Sequence, residues 1–140
     1  MPAILGTPRE TFPGERRVAI APRHVEALRK SGIEVLLEHH AGVESGYPDD
    51  AYVARGAQIV DRETVFARAN LIAQVRSLGA NPADGRADLA LLRPGQAVVG
   101  FGEPLTSGKE CADLAATGIS FLAMESVSYT HLTLPTIYSV

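Results

Sequence analysis

Residues 3–38 read "AILGTPRETFPGERRVAIAPRHVEALRKSGIEVLLE". The apolar runs at each end, "AILG" from Ala3 and "IEVLLE" from Ile33, have the length and β-branched content of buried strands. Between them lies a helix signal. Pro22 suits a first helical position, because its missing N–H would have no intrahelical partner there. Val25 and Leu28 share a face, and Gly32 can adopt the left-handed stop. Strand, helix and strand in this order call for two parallel strands joined by a crossover.

The pattern repeats along the chain. Further strands are expected at "AQIV" from Ala57, "LIAQV" from Leu71, "AVVGF" from Ala97 and "ISFLA" from Ile119. Pro48 opens a second helix that ends at Gly56. Asp61 caps a third, with Val65, Phe66 and Ala69 as its buried stripe. Ser107 and Glu110 have capping-box spacing ahead of Cys111, Leu114 and Ala115, and Gly118 ends that helix. The stretch from Arg76 to Gly95 is the least regular, a loop with at most a short helix around Leu89 to Leu92. The expectation is an α/β fold, a parallel sheet with helices on both faces, flavodoxin-like or Rossmann-like.

A chain of 140 residues holds one core of ordinary size. With 13 basic and 16 acidic residues and a net charge of −3, no broad positive field exists to attract nucleic acid. Cys111 is the single cysteine, which excludes an internal disulfide and a cysteine-built zinc cluster and fits a reducing compartment. No apolar run approaches the ~20 residues of a membrane span, and the start lacks the order of a secretory signal. The chain is expected in the cytoplasm, with no direct membrane insertion.

A dinucleotide site on such a sheet needs a glycine-rich turn directly after a strand, and no G-x-G-x-x-G is present. "GFGEP", Gly100 to Pro104, reads as a strand-end turn, since the third glycine is missing and Pro104 interrupts the approach to the helix. His39 and His40 are adjacent and would point to opposite sides of an extended segment, and His24 has no evident partner, so all three read as structural or solvated. The charged turn Thr7 to Pro22 is more informative. It lies at the carboxyl edge of a strand, where ligands of open α/β sheets bind, and arginine presents a fork matched to carboxylate or phosphate. The alternative is that Glu10 and Glu15 pair with Arg9, Arg16 and Arg17 on a solvated loop.

Several blocks together carry a resemblance: "RETFPGERRVAIAP", "GIEVLLEHHAGVESGYPDDAYVARGAQIV", "LIAQVR" followed by "ALLRPGQAVVGF", and "GISFLAMESV". From about Ile4 to Val127 the chain resembles the amino-terminal region of the alanine dehydrogenase and NAD(P) transhydrogenase family. In that family this region is the first part of a domain beside an NAD-binding Rossmann domain. The resemblance implies a fragment of a subunit, with NAD as the parent's cofactor at a site this chain does not contain. The missing Rossmann domain would be its partner.

The resemblance also supplies site candidates. Alanine dehydrogenases hold the pyruvate carboxylate with an arginine of the "RVA" block, which Arg17 matches. They use a lysine where this chain has Arg76, and a histidine where Glu103 or a neighbour falls. Arginine can hold a carboxylate but cannot exchange protons as lysine can. The cleft candidates are Arg17, Gln74 and Arg76, with Arg16 expected to point the other way and pair with an acid. "QVRSLGANPADGRADLALLRPGQ" and "AMESV" are closer to the transhydrogenase alpha subunit. That implies a dimeric parent working with membrane transhydrogenase subunits at the cytoplasmic face of the inner membrane. A fragment of an alanine dehydrogenase, or a stand-alone module for a small anion, are the alternatives.

The last stretch, "SVSYTHLTLPTIYSV" from Ser126 to Val140, departs in composition. It contains no alanine, no charged residue and none of the 13 glycines. Residues 1–127 are expected to form the family domain, and 128–140 a non-family tail resembling a translated sequencing adapter, loosely packed or implausibly placed. A real edge strand is the alternative, because Thr, Ile, Val and Tyr favour strands.

Overall fold

The structure is a computed structural model that describes residues 3–126 and 137–139. Six parallel strands form one sheet: β1 (Ala3–Thr7), β2 (Ile33–Glu38), β3 (Gln58–Val60), β4 (Leu71–Arg76), β5 (Ala97–Phe101) and β6 (Ser120–Ala123). Their spatial order is 3-2-1-4-5-6, the doubly wound Rossmann order rather than the flavodoxin one. The winding reverses between β1 and β4, so the carboxyl ends of these two strands flank the crevice where such sheets take ligands. A seventh strand, β7 (Ile137–Ser139), pairs antiparallel with β6. The expected tail otherwise lies outside the described residues.

Helices cover both faces. On one side α1 (Pro22–Lys30) and α2 (Asp49–Val53) bury Val25 and Tyr52 against Val35 and Leu37 of β2. On the other, α3 (Arg62–Arg68) and α4 (Gly108–Ala115) bury Val65, Phe66, Cys111 and Leu114 against Ile72, Val98 and Phe121 of β4, β5 and β6. Gly6 of β1 lets α3 lie close, since a Cβ there would stand 2.8 Å from the Ala69 and Val65 side chains. Burying large side chains contributes roughly 1.5–3 kcal/mol each, so these two clusters supply most of the fold's driving force.

Local signals set the helix ends. The Asp61 carboxylate accepts from the Thr64 N–H at 2.7 Å, and Gly32 and Gly118 take φ of 84° and 85° beyond the ends of α1 and α4. His24 is not partnerless: its Nδ1 accepts the Ala21 N–H at 3.2 Å and ties off the start of α1. The capping box at Ser107 does not form. Its hydroxyl donates to the Gly79 carbonyl at 2.9 Å, because the turn after β4 passes against the start of α4. The helical part of the stretch after Arg76 is 3-10 turns at Leu78–Ala80 and Gly85–Leu91. It begins earlier than expected, where Gly85 packs 3.2 Å from the Leu78 Cα if given a Cβ.

Candidate functional site

The charged turn after β1 crosses the carboxyl ends of β1 and β4, and its two acids are turned inward. In β4 the register slips: Ala73 lies opposite Val99 and Arg76 opposite Phe101, so three steps on β4 match two on β5. This is a β-bulge, which frees ladder donors and re-aims the following side chain. Gly100 permits it, because a Cβ there would stand 2.5 Å from the Gln74 carbonyl oxygen. The N–H groups of Val75 and Arg76 at the bulge are taken up by the Glu10 carboxylate, at 2.9 Å each. Burial pushes the Glu10 carboxyl above its ordinary range, opposed by those two N–H groups.

Glu15 is the hub of the site. Its Oε1 accepts from Arg17 Nη2 and Arg76 Nε, both at 2.8 Å, and its Oε2 accepts from Arg17 Nε at 2.9 Å and the Arg17 N–H at 3.0 Å. The Glu15 side chain is only 5% exposed, whereas those of Arg17 and Arg76 are 60% and 28% exposed. The hydrogen bonds from the Arg17 side chain, ahead of all other causes, hold the Glu15 carboxyl far below the usual carboxylate range. Arg76 also donates to the Ala80 carbonyl and lies 4.0 Å from the centre of the Phe12 ring, and Arg17 lies 5.9 Å from that of Phe101.

The depressed Glu15 carboxyl has a definite consequence for stability. A carboxylate stabilised in the folded state contributes fully above its unfolded pKa, and the contribution is lost as pH falls towards the folded value. Glu15→Gln is therefore expected to cost about 2 kcal/mol at pH 7, the scale of charge-assisted hydrogen bonds. The deficit should shrink as pH drops below the ordinary carboxylate range, as urea unfolding across that range would measure. A deficit independent of pH would contradict the ion-pair assignment.

Three openings adjoin the hub. One of about 410 Å³ is lined by Glu10, Glu15, Arg16, Arg17, His40 and Glu44, among others. A cleft of about 220 Å³ is lined by Arg17, Arg76, Ala80, Phe101, Glu103 and Glu125. A larger, more apolar groove of about 430 Å³ holds Arg17 and Gln74 among Val18, Ile20, Val75, Val99 and Phe101. Arg17 is common to all three, and the second and third bring Arg17, Gln74 and Arg76 to one edge of the sheet. Arg16 borders only the first. Among the described residues its side chain has no ion pair, contrary to expectation, because Glu10 and Glu15 are turned towards β4. Its carbonyl accepts from the Ser45 hydroxyl instead. Phe101 lies near Arg17, and Glu103 lines the same cleft. Glu103 sits at φ 47° with its N–H donated to Glu125 at 2.8 Å.

Of the expected pairs of Glu10 and Glu15 with Arg9, Arg16 and Arg17, that of Glu15 with Arg17 forms, while the bonds of Glu10 to the β4 backbone and of Glu15 to Arg76 were not foreseen. Sequence reasoning also missed Arg62, whose guanidinium binds Asp88 through two bonds of 2.9 and 2.6 Å, Glu38 at 2.7 Å and the Arg9 carbonyl at 2.8 Å. That arginine fastens the charged turn to β2 and α3. The residues at the switch point do not fit a dinucleotide. Glu10 already occupies the N–H groups of the β4 end, and the Glu10 and Glu15 carboxylates there would repel a pyrophosphate. The GFGEP glycines serve packing: a Cβ at Gly102 would stand 2.4 Å from the Phe121 ring.

Among known proteins, residues 6–139 match the family described as alanine dehydrogenase/PNT, N-terminal domain. The chain belongs to this family. It is 32% identical over 124 residues to the NAD(P) transhydrogenase subunit alpha of Cereibacter sphaeroides, covering 88% of this chain and 23% of that protein. It is 35% identical over 133 residues to the alanine dehydrogenase of Mycobacterium tuberculosis, covering 94% of this chain and 34% of that one. A solved transhydrogenase from Sinorhizobium meliloti superposes with a TM-score of 0.82 at 26% identity, over 91% of this chain and 36% of that one. The family domain thus spans about a quarter to a third of the relatives it matches. No described helix is long and apolar enough to cross a membrane.

Proposed function

We propose that the chain is the first part of the NAD(H)-binding subunit of a proton-translocating NAD(P) transhydrogenase. The parent would pass hydride between NAD(H) and NADP(H) as a dimer at the cytoplasmic face of the inner membrane, with membrane subunits moving the proton. The observation that carries this reading is the composition of the Arg17 clefts. Among the described residues lining the two openings at the ends of β4 and β5 there is no lysine or histidine, His40 lining only the 410 Å³ opening on the Arg16 side, and Arg76, at the lysine position, is held by Glu15 and the Ala80 carbonyl. An amino-acid dehydrogenase must move a proton on and off nitrogen at neutral pH, which arginine cannot do. Hydride transfer between two nicotinamides needs no such group.

A fragment of an alanine dehydrogenase is the second reading. It is favoured by the pairing of Arg17 with Arg76, since two guanidiniums at one cleft suit a small carboxylate. In both readings the NAD site belongs to a Rossmann domain beside this one. The abrupt change in composition supports a family domain at residues 1–127 and a non-family tail at 128–140, although the family match itself runs to residue 139. Calorimetry of this chain with NADH is expected to show no binding at micromolar concentrations. Saturable binding there would sink the proposal that the cofactor site lies elsewhere. Sequencing the source locus tests the tail: an uninterrupted native frame through Val140 to a stop codon would show the tail to be genuine.

A further inference from the structure

Arg62, the first residue of α3, holds the charged turn by the backbone of Arg9. Its Nη1 donates to the Arg9 carbonyl at 2.8 Å and to Glu38 Oε2 at 2.7 Å, and that same carboxylate oxygen accepts the Arg9 N–H at 2.6 Å. One ion pair thus grips both backbone groups of Arg9. Asp88 accepts from Nε and Nη2, and the guanidinium carbon lies 5.6 Å from the centre of the Phe66 ring, so every nitrogen of the fork is engaged and its plane is set. The side chains of Arg62, Glu38 and Asp88 are 21%, 18% and 13% exposed, which removes these pairs from most solvent screening.

Arg62 lines none of the three openings, so it reaches the cleft only through the turn. Glu10 follows Arg9 directly and takes up the Val75 and Arg76 N–H groups at the β4 bulge. Arg76 in turn donates to Glu15, which also holds Arg17. We infer that Arg62 is a positioning residue for the Arg17–Arg76 edge: its grip on the Arg9 backbone sets where Glu10 meets the bulge, and thereby how Arg76 is presented. The inference rests on the reading of that edge as the functional one, and adds a residue outside it. Without the guanidinium, Glu38 and Asp88 lose their shared cation and the Arg9 carbonyl loses its donor. Burial already disfavours the charged form of Glu10, so a loosened turn lets that carboxylate leave the bulge for water.

The test is amide hydrogen exchange of the full chain, read by NMR at Val75 and Arg76. The reference amides are Asn70 and Ala97, which donate to the Ile4 and Asn70 carbonyls at the opposite ends of β4 and β5. In Arg62→Gln, exchange at Val75 and Arg76 should speed up roughly tenfold relative to the references, and the Arg76 Nε–H resonance should move. In a Glu10→Ala background, where the route is already cut, adding Arg62→Gln should change that ratio by less than about twofold. Equal acceleration at all four amides would make Arg62 a general stabilising contact and overturn the inference, as would an unchanged ratio. An effect that persists in full without Glu10 would overturn it too. Should Arg62→Gln fail to fold, Asp88→Asn keeps the bonds of Arg62 to Arg9 and Glu38 and is expected to show the same selective pattern at about two- to fourfold. A uniform change or none in that variant counts against the inference equally. The cofactor reading stands or falls separately, on the activity of Arg17→Ala.

Discussion

Arg17→Ala in the full-length subunit is expected to lower kcat/KM for cofactor-dependent hydride transfer by roughly 10- to 100-fold, whereas Arg16→Ala should change it by less than about threefold. The magnitude is that of one charge-assisted hydrogen bond, about 1.5–3 kcal/mol, lost from a site. The contrast comes from the geometry of two adjacent residues. Arg17 lines both openings beside Gln74 and Arg76 and is clamped through Nε and Nη2 by Glu15, while Arg16 lines only the 410 Å³ opening, away from the β4 end. Steady-state assays of both variants would decide it. Equal and small effects would reduce the charged turn to a solvated loop. Arg17→Lys should recover little, because a point ammonium cannot make the two-bond contact to Glu15 and still face the cleft.

Gly79→Ala is expected to destabilise the domain by about 3 kcal/mol or more, the largest effect of a single methyl group on this fold. A Cβ at Gly79 would stand 1.7 Å from the carbonyl oxygen of Gly102, and that neighbour is backbone. Relief would require the turn after β4 to move away from the turn after β5, breaking the bond from the Ser107 hydroxyl to the Gly79 carbonyl. Urea unfolding measures the effect, and a loss below about 1 kcal/mol would mean the two turns are not in contact as described.

The sequence made the layered α/β architecture legible because its signals are local. Pro22, Asp61 and Gly32 mark helix ends by their own backbone chemistry, and apolar runs mark strands by composition. All six expected parallel strands are present. The functional edge was less legible because it is assembled by contacts distant in sequence. The β4 bulge follows from its pairing with β5, which no window within β4 reveals. Glu10 reaches N–H groups more than sixty positions away, and Glu15 reaches Arg76 at a similar separation. The residue types were visible, as Arg17 and the charged turn show. What the sequence did not show was that the acids turn inward to Arg76 and the β4 backbone.

The central claim is that this domain serves hydride exchange between nicotinamide cofactors. It is tested most directly by expressing the full-length subunit from the source locus with its NADP(H)-binding partner and measuring reduction of an NAD analogue by NADPH. The account predicts NADPH-dependent reduction that Arg17→Ala impairs, and no formation of NADH from NAD on addition of L-alanine. Alanine-dependent NADH formation without NADPH-dependent reduction of the analogue would contradict it and assign the chain to an amino-acid dehydrogenase.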